Sequence, residues 1–110
     1  MAFSAGEVVL VPFSYRDQLA ERTRPAVVVS AQNYNQQGDL VIAAVTSQAP
    51  RFASDYALQD WATAGLQLPS TVRMLLATVA ETRVLHHVGR LTDGDWAEVQ
   101  LRVRQVFAWP

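Results

Sequence analysis

Three valine-rich apolar runs, at residues 8–13, 26–29 and 40–45, carry the first half of the chain. Each is too short to make a stable helix by itself. Each is apolar without the three- or four-residue spacing that gives a helix one wet face. Short continuous runs of this kind fit strands buried on both faces. The stretches between them are polar. Residues 14–24 hold too much Arg, Asp, Glu and Gln for a core and are expected to form a long loop. Pro25 then opens the second run, which suits a residue without an amide donor, since proline is tolerated at the first position of a strand. Residues 33–39, with Asn35, Gly38 and Asp39, have turn chemistry. Thr46, Ser47 and Gln48 close the third run.

The second half alternates more. Residues 50–54 are expected to be loop. Tyr56 and Leu58 alternate with Ala57 and Gln59, the pattern of a half-buried strand. Asp60 is placed to cap a short turn carrying Trp61 and stopped by Gly65, glycine being the usual residue just past a helical turn. Leu66, Leu68 and residues 72–79 supply a further strand or two, and 84–91 the last. A helix begins after Thr92, an N-cap residue with Asp95 three places on, as in a capping box but with Asp for Glu or Gln. Asp93 sits favourably at the positive end of that helix. Trp96, Val99, Val103, Val106 and Phe107 fall on one helical face. The chain is therefore expected to be mainly β with a C-terminal helix, as a small antiparallel barrel or rolled sheet with the helix packed on it.

Composition narrows the chemistry. The chain has 110 residues, the length of one domain, residues 1–110, with a thin core that makes a dimer plausible. Nine arginines, no lysine and ten acids leave a formal charge of −1, against the large basic excess of a polybasic nucleic-acid binder. A local arginine cluster is still allowed. Missing lysine and a single isoleucine fit the coding bias of a GC-rich genome. No cysteine means no disulfide and no thiol chemistry. His86 and His87 lie outside any metal-ligand motif, so neither a metal nor another cofactor is expected. No run approaches the ~20 apolar residues of a membrane span, and the N-terminus lacks the pattern of a signal peptide. The expectation is a soluble cytoplasmic protein.

Four segments taken together carry a resemblance. They are Gly6-Glu7-Val8-Val9-Leu10-Val11-Pro12-Phe13, Arg22-Thr23-Arg24-Pro25-Ala26-Val27-Val28-Val29-Ser30, Ala44-Val45-Thr46-Ser47-Gln48 and Leu68-Pro69-Ser70-Thr71-Val72-Arg73. Their order and spacing resemble the PemK/MazF family of toxins from type II toxin–antitoxin systems. Trp61 with Ala64-Gly65-Leu66, and Val88-Gly89-Arg90-Leu91, add to the likeness. The resemblance implies an SH3-like antiparallel barrel of the PemK/MazF/CcdB type, a homodimer, and a metal-independent, sequence-specific endoribonuclease acting on single-stranded RNA without the ribosome. It implies a cognate antitoxin whose disordered acidic tail covers the active site. It gives catalytic roles to Arg24 and Thr46, with Ser47 beside Thr46, and a substrate-binding role to Arg73. One departure stands out: the residues following Arg73 are Met74-Leu75-Leu76-Ala77, where many members carry a polar stretch with a carboxylate.

The residue types suit that chemistry. RNA is cut when its own 2′-OH attacks the adjacent phosphate, and the crowded dianionic phosphorane needs donors. Arginine offers a planar, permanently charged fork to phosphate oxygens. Thr46 and Ser47 add hydroxyl donors at a strand end. Tyr15 and Arg16 on the long loop are candidates to stack a base or grip phosphate, and Gln48 to contact RNA. Asp17 and Glu21 on the same loop are candidate bases, and His86 or His87 weaker ones. Plainer roles stand beside these: Thr46 bonding to backbone, Arg73 pairing a neighbouring acid. Two other functional readings stay open. CcdB toxins share the fold but poison DNA gyrase by protein contact through an aromatic tail, and this chain has Phe107-Ala108-Trp109-Pro110. An inactive relative that only dimerises and binds antitoxin is the other.

Overall fold

The valine runs are strands of a single antiparallel sheet in the computed structural model, which describes residues 3–14 and 20–108. In chain order the elements are β1 (Glu7–Phe13), β2 (Arg22–Val28), a one-turn helix α1 (Gln32–Asn35), β3 (Asp39–Thr46), β4 (Tyr56–Ala57), β5 (Thr71–Ala80), a 3-10 turn (Glu81–Arg83), β6 (His86–Arg90) and α2 (Asp93–Val106). The six strands lie in the order β4-β5-β3-β2-β1-β6, every neighbouring pair antiparallel. The sheet curls into a half-barrel with the C-terminal helix packed on it, as the fold class expected from sequence requires.

Both faces of the sheet are covered, which explains runs that do not alternate. Val9, Val11, Phe13, Ala26, Val28, Leu40 and Ile42 fill one side, with Phe3, Ala77, Val79 and Val84 against them. Val8, Val27, Ala43, Val45, Val72 and Val99 fill the other, together with Leu58, Ala64 and Leu91. Neighbours along one strand therefore enter different cores. Each fully buried Val or Leu contributes roughly 1.5–3 kcal/mol from its removal from water.

The start of the second strand shifts. Residues 22–24, assigned to the loop from their polarity, are part of β2 and pair with Val11, Pro12 and Phe13, so Pro25 stands inside the strand and not at its first position. Their side chains are at the sheet's end, where a strand need not be apolar. The helix stripe, expected as core or dimer interface, divides: Val99 is fully buried and Trp96 and Val103 pack on the same core, while Val106 and Phe107 are 43% and 45% exposed on the single chain.

The start of α2 shows why Asp, not Glu, follows the cap. The Asp95 N–H donates to Thr92 Oγ1 at 3.3 Å, as in a capping box. The Asp95 carboxylate does not return the bond. It is buried and accepts from Tyr56 Oη at 2.6 Å, from the Gln59 N–H at 3.2 Å and from the Asp60 N–H at 2.9 Å. One carboxylate thus clamps the helix to the turn after β4. Burial, and then the Asp95 carboxylate, push the Tyr56 hydroxyl pKa far above its ordinary value. The Arg102 guanidinium lies 4.7 Å over the same ring.

Gly65 and Gly89 mark where β6 lies against the turn carrying Trp61. Gly65 has φ +91°, open to glycine at little cost. A Cβ on Gly89 would meet the Ala64 carbonyl oxygen at 2.1 Å. Trp61 and Leu66 pack on the core beside them, so their role is structural. No described helix is long and apolar enough to cross a membrane.

Candidate functional site

Arg24, Thr46 and Arg73 come together through strand register. The sheet pairs Ala26 with Ala44, and Ala44 with Arg73, across β2, β3 and β5. Alternate residues of a strand share a face. Arg24 lies two residues from Ala26, and Thr46 two residues from Ala44, on the same end of the sheet. Carrying the β2–β3 register past Ala26 sets Arg24 across from Thr46, and Thr46 pairs with Thr71. With strands about 4.8 Å apart, this register puts Arg24, Thr46 and Arg73 on the same side of three adjacent strands near one end of the sheet. Ala26 and Ala44 between them are fully buried and too small to fill this patch.

Side-chain contacts extend the patch towards β5. The Gln48 N–H donates to Thr46 Oγ1 at 3.2 Å, so the hydroxyl is aimed by the bend that follows its strand. The plainer expectation for Thr46, a bond to backbone, is met by the same contact; it leaves the hydroxyl its own proton to donate. Arg73 Nη1 lies 3.5 Å from Gln48 Oε1. Arg73 Nε lies 3.6 Å from Asp55 Oδ1, so this arginine does have an acid for a neighbour. Ser47 sits in the exposed bend beyond β3.

Asp55 is the residue the sequence did not single out. Its side chain is only 2% exposed. Oδ2 accepts from the N–H groups of Arg51 at 2.8 Å and Phe52 at 3.2 Å. An Asp four residues after Arg51 and three after Phe52 in a loop is the available signal, since Asp in loops bonds back to nearby backbone. Around it opens a cleft of about 350 Å³, lined by Arg51, Phe52, Ser54, Asp55, Arg73 and Leu75 among others.

The apolar stretch after Arg73 has a structural reason. The β3–β5 register jumps between Ala43, paired with Leu76, and Ala44, paired with Arg73, so Met74 and Leu75 bulge out of the ladder. Met74 and Leu76 pack on the core beneath.

The remaining candidates lie elsewhere. Glu21 pairs with Arg83 at 2.7 Å. His86 and His87 stand on β6, two strands from β2, and His87 Nε2 is 3.2 Å from Glu7 Oε2. Tyr15, Arg16 and Asp17 lie outside the described residues, as do Trp109 and Pro110. Among the described residues no three His, Asp or Glu side chains gather as a metal site.

Comparison with known proteins bears on the family and the fold. The profile of the PemK-like, MazF-like toxins of type II toxin–antitoxin systems matches residues 4–107. No curated protein matches the sequence significantly. Among solved structures, the chain is similar to an endoribonuclease in complex with its cognate antitoxin from a mycobacterial species, with 17% identity over 99% of this chain and 100% of that one and a TM-score of 0.76. It is similar to MazF in a MazE–MazF crystal structure from Deinococcus radiodurans, with 20% identity over 96% of each chain and a TM-score of 0.76. Mycobacterium tuberculosis toxin MazF-mt6 gives 14% identity over 94% of this chain and 99% of that one, with a TM-score of 0.75. At these identities the likeness concerns the fold.

Proposed function

The chain belongs to the PemK-like, MazF-like toxins of type II toxin–antitoxin systems, and from this we propose that it is a metal-independent endoribonuclease cutting single-stranded RNA. The observation that carries the reading is the juxtaposition of Arg24, Thr46 and Arg73 on one end of three paired strands. In this reading the 2′-hydroxyl of the RNA gives up its proton and attacks the adjacent phosphate, a P–O bond forms, the bond to the 5′-oxygen breaks, and that oxygen takes up a proton. The products are a 2′,3′-cyclic phosphate and a 5′-hydroxyl. Arg24 and Arg73 donate to the phosphoryl oxygens, whose negative charge grows in the transition state. Donors fixed in advance on a sheet stabilise that charge without reorganising when it appears. The Thr46 hydroxyl, held by the Gln48 amide, adds a neutral donor. Ser47 and Gln48 contact the RNA from the bend. The domain works in the cytoplasm as a homodimer, and an acidic antitoxin segment silences it by covering the arginines.

The test is to incubate the purified chain with a long single-stranded RNA in EDTA and to map the new 5′ ends. Cleavage leaving 5′-hydroxyl ends, persisting in EDTA and lost in Arg24→Ala, is expected. Intact RNA alongside inhibition of DNA gyrase would overturn the reading in favour of a CcdB-like poison.

A further inference from the structure

We infer that loop 51–55 and the start of β5 form a nucleobase subsite next to the cleavage centre, with the Phe52 ring and the Arg51 and Arg73 guanidinium planes over it as the stacking surfaces, and Asp55 as the positioning residue that holds them. This deepens the ribonuclease reading and rests on it.

Phe52 is 59% exposed, a poor place for a large apolar ring unless something covers it. Yet the ring does not stand alone. The guanidinium carbons of Arg51 and Arg73 lie 5.4 and 5.7 Å from its centroid. Aromatic rings and arginine planes are the groups on which unpaired bases stack. The loop is also fixed in advance. The buried Asp55 carboxylate binds the backbone of Arg51 and Phe52 through one oxygen and faces the Arg73 guanidinium with the other. The Asp55 N–H donates to the Phe52 carbonyl at 3.0 Å and closes the turn. Ordering costs are thus met by folding rather than by binding.

The cleft of about 350 Å³ is within the range of small-ligand sites, roughly 300–1,000 Å³. Leu75, one of the two residues that bulge from β5, gives it an apolar wall. The residues that depart from the family's usual polar stretch therefore have a use here. Charge favours a base over an acidic peptide. Asp55 already offsets one of the two guanidinium charges, which leaves a flat, partly apolar cleft suited to a neutral π-faced ligand. Through Arg73 and Gln48 the cleft adjoins Thr46, so the base it takes belongs to a nucleotide close to the cut.

The experiment uses the full chain and single-stranded oligonucleotides that carry one mapped cut site. A 2′-deoxy sugar at the attacking position gives a ligand that is not cut. Phe52→Ala is expected to raise the Kd for that ligand and the KM for cleavage by roughly 5- to 150-fold, the range of one lost base stack, with a smaller effect on kcat. Phe52→Trp restores binding. An abasic substitution at one nucleotide flanking the cut weakens wild type by a similar factor and leaves Phe52→Ala unaffected. Asp55→Ala resembles Phe52→Ala and adds little to it in the double variant. Because Phe52 is exposed, its truncation spares the core, so the result holds even where Asp55→Ala unfolds. Should Phe52→Ala bind and cut like wild type while Arg24→Ala abolishes cutting, the subsite is wrong and the ribonuclease reading stands. Loss of antitoxin binding in Phe52→Ala, with no abasic position coupled to it, would overturn the proposal in favour of a peptide contact. Absence of cutting by wild type overturns the ribonuclease reading itself.

Discussion

At the scale of single residues, the proposed chemistry depends on where a guanidinium fork can be aimed. Replacing Arg24 by Ala is expected to lower the cleavage rate by at least about 10²–10³-fold, the cost of one preorganised donor group, which takes it below detection in end mapping. Arg24→Lys should recover only part of that, because an ammonium cannot present two parallel N–H groups to phosphate; single-turnover rates at saturating enzyme separate the two. Space decides another position. A methyl on Gly89 would overlap the Ala64 carbonyl, a backbone atom that cannot swing away. Gly89→Ala is expected to destabilise the fold by about 1–3 kcal/mol in urea denaturation. Gly94→Ala, with nothing within 4 Å of the new methyl, should be neutral or stabilising. The strand positions of Thr46 and Arg73 were legible in the sequence because each sits in a distinctive short segment. Asp55 and Phe52 were not. Their roles come from a turn and from a strand eighteen or more residues downstream, and no local pattern announces a contact at that separation.

At the scale of elements, the strands were legible and their edges were not. Valine runs identify strands wherever both faces are covered, but the start of β2 looks like loop because Arg22 and Thr23 are exposed at the sheet's end and Arg24 is only half-buried. The N-cap at Thr92 was legible; the use of Asp95 was not, since its partners Tyr56, Gln59 and Asp60 belong to another element. That clamp has a pH signature. The folded chain holds the Tyr56 proton far more tightly than the unfolded one, whose tyrosine pKa is about 10. Folded chains then bind more protons than unfolded ones at high pH. The Tyr56 contribution to stability is complete below about pH 10 and declines as pH rises above it. Thermal midpoints followed from pH 8 to 11 should fall less steeply above about pH 10 in Tyr56→Phe than in wild type.

At the scale of the molecule, a formal charge of −1 is in keeping with the proposed grip on a few phosphates, not on a long stretch of backbone. Three of the nine arginines, Arg73, Arg83 and Arg102, face carboxylates among the described residues. An RNA held by about three phosphate contacts loses affinity with salt at a log–log slope of roughly −2, near −0.7 per contact. Binding of an uncleavable oligonucleotide across a salt series checks this, and a slope several times steeper would mean that far more of the surface takes part. The bulge in β5 has a consequence of another kind, one of parity. Between Arg73 and Leu76 the strand advances three residues while β3 advances one. The surplus is two, an even number, so the in–out alternation emerges from the bulge in the phase it had on entering. Arg73 can face the patch while Ala77 and Val79, on the far side of the bulge, still enter the core. Chain length at this point is quantised in pairs. A lineage could add or remove two residues beside the arginine and keep both halves of the strand in step, whereas a change of one would turn the core half inside out.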